Sequence, residues 1–368
     1  MNSPILEEFQ IKEQRIHDYL EKNDLEGVVI GTQGNFSWIS GGGRSNVLIT
    51  SEGADALVLV TRKARTVIAY NMDVDRNRDE EMGGLGFDSI KTHWNEKSRE
   101  EIVLDLLGGK KFLSDIPLEG GLVDGKAFYD LIYPLTDQEI ERYRVIASAA
   151  EDTLLDVINT LRPGIRENEI EARLIAEFAR KEFVSTVVLV GSRERLMKYR
   201  HPIPSTRIAD GVVLLVLCPR KYGLHIPITR TICLNGEIDR ETERKFEAAS
   251  TIAAHCIAHS VPGNRFADIL SMQKKLYKEL GFENEWMNHF QGGITGYIPN
   301  DSTLCWNPEM TVKDRQTFNW FITITGVNTE DTYLSGVDEI LTRSGKWPLK
   351  NYSVNGKEIS LPMILRVC

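Results

Sequence analysis

KYRHPIP at Lys198–Pro204, LHIPITRT at Leu224–Thr231, HFQGGITGY at His289–Tyr297 and ITGVNTEDT at Ile324–Thr332 are the runs on which the reading of this chain turns. Each lies beside a run with strand or helix character. STVVLVG at Ser185–Gly191, VVLLVLC at Val212–Cys218 and PITRTICLNG at Pro227–Gly236 are β-branched and bounded by turn residues, and read as strands. Glu241–Ser260 and Arg265–Leu280 read as helices. The glycine-rich run follows, then FNWFITITG at Phe318–Gly326 and DTYLSG at Asp331–Gly336 as further strands. Strands, then a helix pair, then strands again give an α+β domain.

Upstream, Thr136-Asp137-Gln138-Glu139 is a capping box, in which a Thr oxygen and a Glu carboxylate satisfy free amide donors at a helix start. Ile140, Tyr143, Ile146, Ala150, Leu154 and Ile158 continue it as one apolar stripe until Pro163-Gly164. A second helix from Glu167 carries Ile170, Leu174, Ile175 and Phe178. The boundary implied near Pro134 divides the chain into a smaller α/β domain at 1–134 and a larger α+β domain at 135–368. In the first, Phe9–Leu20 has helical spacing, Gly27–Thr32, Asn46–Thr50, Ala56–Thr61 and Thr66–Asn71 read as strands, and Asp73–Gly86 reads as a solvated loop with a helical turn.

The 368 residues carry a net charge of −9, with 42% hydrophobic and 26% charged residues, as in an ordinary globular protein. The acidic balance argues against nucleic acid or an anionic membrane as partner. Cys218, Cys233, Cys256, Cys305 and Cys368 are odd in number and scattered, which fits a reducing compartment. MNSPILEEFQ has no cationic lead and no apolar core, and nowhere do 18 apolar residues run together, so a cytoplasmic location is expected. There is no GxSxG, P-loop or HExxH; Gly41-Gly42-Gly43 lacks the Lys-Ser/Thr of a phosphate cradle and reads as a turn.

In order and spacing, the four opening runs resemble the creatinase/aminopeptidase P/prolidase family. The resemblance extends to the Thr136–Glu167 opening and, upstream, to NFSWISGGGRSN at Asn35–Asn46, which is similar to the loop after the family's first strand. It implies a C-terminal pita-bread domain behind a smaller N-terminal domain, a pairing into homodimers, and a pocket that in the family usually holds two metal ions. The family's ligands are two Asp, a His and two Glu. At the matching places this chain has Val216 or a neighbour in VVLLVLC, Pro227, Gly293 and Phe321, and it keeps only Glu330. Divalent metals of this kind need carboxylate oxygen or imidazole nitrogen. No dinuclear centre and no cofactor are therefore expected.

His201 stands where the family has a substrate-facing His and where creatinase, itself metal-free, has its proton-transferring residue. A His there can exchange a proton near neutral pH, or merely cap a turn between prolines. His289 matches a family His that hydrogen-bonds substrate. Gln291, Gly292 and Gly293 would let backbone approach a ligand, or simply allow a tight turn. Glu330 is expected to orient an imidazole or to bind a cationic group. His225, on the face alternation assigns to Pro227, Tyr297 and Arg230 complete the expected substrate contacts, although an ion pair from Arg230 to Glu330 or Asp331 is the plainer role. Asn300 and Asn328 replace a His and an Arg of the family. A metal bound by His201, His225, His289 and Glu330 is conceivable chemically, but the spacing does not call for it.

Two functions follow from these residues. One is a metal-independent hydrolase of the creatinase kind, cleaving a C–N bond in a small polar or zwitterionic molecule with His201, His289 and Glu330 as catalytic groups. The other is a pseudo-peptidase that binds a short peptide, a small ligand or a protein partner. A convergent polar, closed cavity favours the first and an open apolar groove the second. A metal-dependent Xaa-Pro peptidase is the third reading.

Overall fold

The computed structural model describes residues 3–300, 307 and 309–367; Cys305 and Cys368 lie outside them. The chain forms two compact units, Met1–Glu141 with Tyr222–Leu224, and Arg142–Lys221 with His225–Cys368.

In the first unit α1 (Pro4–Asn23) starts on Ser3, whose hydroxyl accepts from the Leu6 amide, with Pro at the first helical turn. Its inner face buries Phe9, Ile16 and Leu20, and also Lys12. The Lys12 ammonium is satisfied by Glu8 (2.6 Å), Glu139 (2.8 Å) and the Trp38 carbonyl (2.5 Å), as a buried charge must be. Then come β1 (Gly27–Thr32), α2 (Gln33–Ser40), β2 (Gly53–Thr61), β3 (Arg65–Tyr70), α3 (Val74–Arg76), β4 (Asp88–Thr92), α4 (Arg99–Leu107), β5 (Phe112–Ser114), β6 (Gly121–Val123) and α5 (Gly125–Ile132). The strands make one mixed sheet in the order β4-β3-β2-β1-β5-β6. Val29, Leu57, Leu59, Ile68 and Phe112 from the sheet pack on Val103 and Leu107 of α4.

Two expectations fail here. Asn35–Asn46 is not a loop throughout, because α2 occupies Gln33–Ser40, with Thr32 as its cap. Asn46–Thr50 is not a strand; Val47, Leu48 and Ile49 are 67%, 68% and 59% exposed. The ladder positions on both sides of β2 are taken by β1 and β3, and the Val47 amide is held by the Asp55 side chain instead.

At the end of the first unit's main segment the capping box closes as expected at the start of α6 (Asp137–Asn159), which continues into the second unit: Thr136 N donates to Glu139 (2.8 Å) and Glu139 N to Thr136 Oγ1 (3.2 Å). After α7 (Glu167–Arg180) come β7 (Val184–Ser192), α8 (Glu194–Lys198), β8 (Gly211–Lys221), β9 (Leu224–His225) and β10 (Ile228–Leu234), then α9 (Arg240–His259) and α10 (Phe266–Glu279). The short strands β11 (Gly293–Ile294), β12 (Thr317–Asn319), β13 (Ile322–Ile324), β14 (Val327–Thr329), β15 (Thr332–Leu334), β16 (Glu339–Ile340), β17 (Leu349–Val354), β18 (Lys357–Pro362) and β19 (Leu365–Val367) finish the chain.

The main sheet runs β19-β10-β8-β7. Its central strand β8 is buried over most of its length, which explains the near-continuous apolar run that betrays it in the sequence. A second sheet runs β11-β12-β15-β16, and β13–β14 forms a hairpin. FNWFITI is thus two strands, not one. It breaks at Trp320-Phe321 because the Phe321 amide turns to the Gln291 carbonyl (3.3 Å). One bridge ties the two regions together: Thr229 of β10 donates its amide to the Glu330 carbonyl (3.0 Å).

Candidate functional site: an apolar cavity with one carboxyl at its floor

That bridge places Glu330 against β10, and the β8–β10 register sets Val216 opposite Thr229 and Val216 opposite Leu189 of β7. The result is a cavity of about 420 Å³. Val216, Pro227, Phe321 and Glu330 all line it, together with Leu189 and Pro299. Positions more than a hundred residues apart in sequence therefore share one wall. Val216 and Phe321 also pack with Leu189, Leu196 and Leu214 as a hydrophobic cluster. Gly293 sits in β11, opposite Asn319.

The floor is polar at one spot. Glu330, 4% exposed, accepts from Thr229 Oγ1 (2.8 Å) and Asn319 Nδ2 (2.8 Å), and Asn319 Oδ1 in turn accepts from Asn300 Nδ2 (2.7 Å). Burial pushes the Glu330 carboxyl up to about 7, against the two hydrogen bonds, which favour its charged form.

At the mouth, His201 and His289 meet edge to face with Nε2 atoms 2.9 Å apart. A carbonyl oxygen only accepts, so His289 Nδ1, 2.5 Å from the Phe290 carbonyl, carries the hydrogen. In the neutral pair His289 Nε2 then accepts, His201 Nε2 donates, and His201 Nδ1 keeps the free lone pair. Burial pushes His289 down to about 4, consistent with its ring lying between Phe290 and Phe321 at 4.3 and 4.7 Å. Arg200, next to His201, is tied to Glu285 and to Thr325 Oγ1 (3.0 Å), which holds this segment against the β13–β14 hairpin.

The other predicted contacts lie elsewhere. His225 is buried behind the cavity wall, with Nδ1 on the Gly296 carbonyl (3.1 Å), and burial holds it neutral, down at about 3. Strand alternation does not carry from Pro227 back to His225, because the ladder is interrupted at Ile226-Pro227, where β9 ends and β10 has not begun. Arg230 also faces away: it is wholly buried, paired to Glu151 (2.6 Å) and Asp331 (2.8 Å) over the Trp347 ring. It braces the sheet from behind, with Asp331 as partner rather than the Glu330 carboxylate. Tyr297 is buried and off the cavity wall.

Gln291 is spent within the fold, donating to Trp286 O (2.9 Å) and His289 O (2.7 Å) and accepting from Tyr277 (2.8 Å). It fixes the loop that carries His289 without facing the cavity. Gly292 does admit a close backbone approach, but from β12 and not from a ligand: at φ +96° its missing Cβ would lie 2.2 Å from the Asn319 carbonyl. The residue that sequence reasoning passed over is Asn319. A polar residue inside the apolar run FNWFITI was the available signal, since a buried amide needs partners.

Among the described residues, no three His, Cys, Asp or Glu side chains converge as a metal would require, and no helix is long and apolar enough to cross a membrane.

A cavity between the β7–β8–β10 sheet and the β12–β15 region is the architecture of a pita-bread domain. Residues 141–334, just over half the chain, match the model of metallopeptidase family M24. The chain belongs to that family. It is 22% identical over 298 residues to the Xaa-Pro dipeptidase of Pyrococcus horikoshii, covering 77% of this chain and 81% of the relative. In fold it is similar to the prolidase from Pyrococcus horikoshii (TM-score 0.73, 18% identity, 90% of this chain and 98% of that one). It is similar as well to dipeptidase PepE from Mycobacterium ulcerans (TM-score 0.76, 14% identity, 100% of both chains). The N-terminal domain of FACT complex subunit SPT16 from Cicer arietinum shares the fold too (TM-score 0.66, 12% identity, 93% of this chain and 97% of that one).

Proposed function

We propose that this chain is a binding member of the family, in which the cavity takes an apolar ligand or the apolar end of a peptide in place of two metal ions. The observation that carries this reading is the wall itself. Val216, Pro227 and Phe321 line the cavity, and neither they nor Gly293 offer an oxygen or nitrogen side-chain donor. Each Glu330 oxygen already accepts a hydrogen bond from the protein. This donor set does not fit a pair of metal ions. What the wall does offer is apolar surface in a space the size of the smaller ligand pockets. A pocket of this kind can keep the fold and lose the chemistry, since fold and function are separable.

The test has two arms. Purified protein is analysed for manganese, cobalt and zinc and assayed on Xaa-Pro dipeptides with and without chelator. A panel of small apolar ligands and short apolar peptides is screened by thermal shift against the wild type and against Val216→Phe, which fills the cavity. The reading predicts ligand-dependent stabilisation that Val216→Phe abolishes. Two equivalents of tightly held metal, with dipeptidase activity that chelation removes, would overturn it.

The His201–His289 pair favours a second reading, a metal-independent hydrolase acting on a C–N bond. A lone pair on His201 Nδ1, with His289 behind it, is the arrangement of a general base at the cavity mouth. Homodimer formation and a cytoplasmic location belong to the same proposal, supported by the family resemblance and, among the described residues, by the free Cys218, Cys233 and Cys256. Sedimentation analysis tests the first and fractionation the second.

A further inference from the structure

We infer that the ligand of the cavity is an apolar amine: an aliphatic or aromatic body of modest size ending in a protonated nitrogen that sits on Glu330. The inference rests on the reading of the cavity as a binding site and names what that site selects.

The cavity holds an unbalanced charge. Glu330 lines the cavity at 4% exposure, and its two hydrogen-bond donors, Thr229 and Asn319, are both neutral. A buried carboxylate is normally paired with a cation. The guanidinium whose charge acts on it is Arg230, but its ion pairs go elsewhere, to Glu151 and Asp331, and on Glu330 it reaches only the main-chain carbonyl, at 3.4 Å. Among the described residues no Lys, Arg or His forms an ion pair with the Glu330 carboxylate, and the few undescribed ones include no Lys, Arg or His. The cavity is thus short of one positive charge at its floor.

The remaining wall decides the other end of the ligand. An ionised carboxylate has about four lone-pair sites, of which two are filled here. An ammonium, with three donors, can take the rest, and Asn300 on the same wall has a carbonyl oxygen beyond its bond to Asn319. Above that floor the lining is mainly apolar, with the Cys218 thiol and the His201 imidazole as its other polar side chains, and Phe290 and Ile203, 46% and 67% exposed, extend the apolar surface to the mouth. A cavity of about 420 Å³ lies toward the small end of ligand pockets and suits a phenyl or hexyl body. An anionic ligand would meet Glu330 as a like charge. A neutral one would leave the carboxylate as unbalanced as before.

Calorimetric titration of the full chain at pH 8 with phenethylamine, 2-phenylethanol and phenylacetate tests the inference. The three share a body and differ in the terminal group. The expected order is amine tightest, by about tenfold or more over the alcohol, on the scale of one charge-assisted hydrogen bond, with the acid weakest. Glu330→Gln should bring the amine down to the level of the alcohol and leave the alcohol nearly unchanged. If Glu330→Gln does not fold, the wild-type order decides by itself. Alcohol binding that equals amine binding sinks the amine inference and leaves the cavity reading standing. Failure of all three to bind, or binding that Val216→Phe does not alter, sinks both.

Discussion

Replacing Glu330 by Gln should change how the stability of this protein depends on pH. Gln keeps the shape and can keep both hydrogen bonds, its oxygen accepting from Asn319 Nδ2 and its amide donating to Thr229 Oγ1, where Glu330 now accepts from both. What it removes is the ionisation. Burial raises the Glu330 carboxyl from its ordinary 4.5 to about 7, and in the unfolded chain that burial is lost. Between those two values the folded state holds the proton more tightly than the unfolded state does. Its stabilising effect is therefore complete below about 4.5 and is lost as the pH climbs to about 7. At about 1.36 kcal/mol per pKa unit the loss is about 3 kcal/mol, or roughly 6–12 °C in Tm for a unit of this size. Thermal melts of wild type and Glu330→Gln from pH 4 to pH 9 should show two curves that lie close together in acid and separate steadily, with the wild type the less stable one above pH 7. Parallel curves would refute the reasoning. A wild type that gains stability over Gln as the pH rises would refute it more sharply, because that is the sign of a carboxylate held ionised by a metal or a neighbouring cation.

Phe321→Ala should cost about 3–5 kcal/mol in chemical denaturation, the usual cost of emptying a buried aromatic site, since Phe321 is packed with Val216 and Leu189; a change under about 1 kcal/mol would mean the wall is not a packed one. Gly292→Ala should lower the urea midpoint and loosen the His289 loop, because a Cβ there would collide with the Asn319 carbonyl at φ +96°; a wild-type midpoint contradicts the close approach. Arg230→Met leaves Glu151 and Asp331 buried without their cation and should cost about 3–5 kcal/mol, read as soluble yield and midpoint. In NMR titration the His289 ring should protonate near pH 4, and mutating His201 should leave apolar ligand binding in place; if a C–N hydrolase activity is found, His201→Ala should instead reduce it by about a hundredfold or more.

The sequence by itself determined the scaffold and the identity of the wall. The strand runs, the Thr136–Glu139 capping box and the spacing of the four signatures are local facts, set by backbone propensity and periodicity, and most of them kept their place on folding. The substitutions at Val216, Pro227, Gly293 and Phe321 were legible because a motif can be counted along a chain. What the sequence left open was which side chains face each other. His225 and Arg230 sit in the same run as Pro227, yet a two-residue interruption of the ladder sends His225 behind the wall, and the pull of Glu151 and Asp331 turns Arg230 away. Asn319 entered the site only when β12 came to lie beside Glu330, and Gly292 proved to be shaped by a neighbouring strand. Burial and the choice of hydrogen-bond partner are properties of three-dimensional neighbours, so they were decided only when the two sheets closed around the cavity.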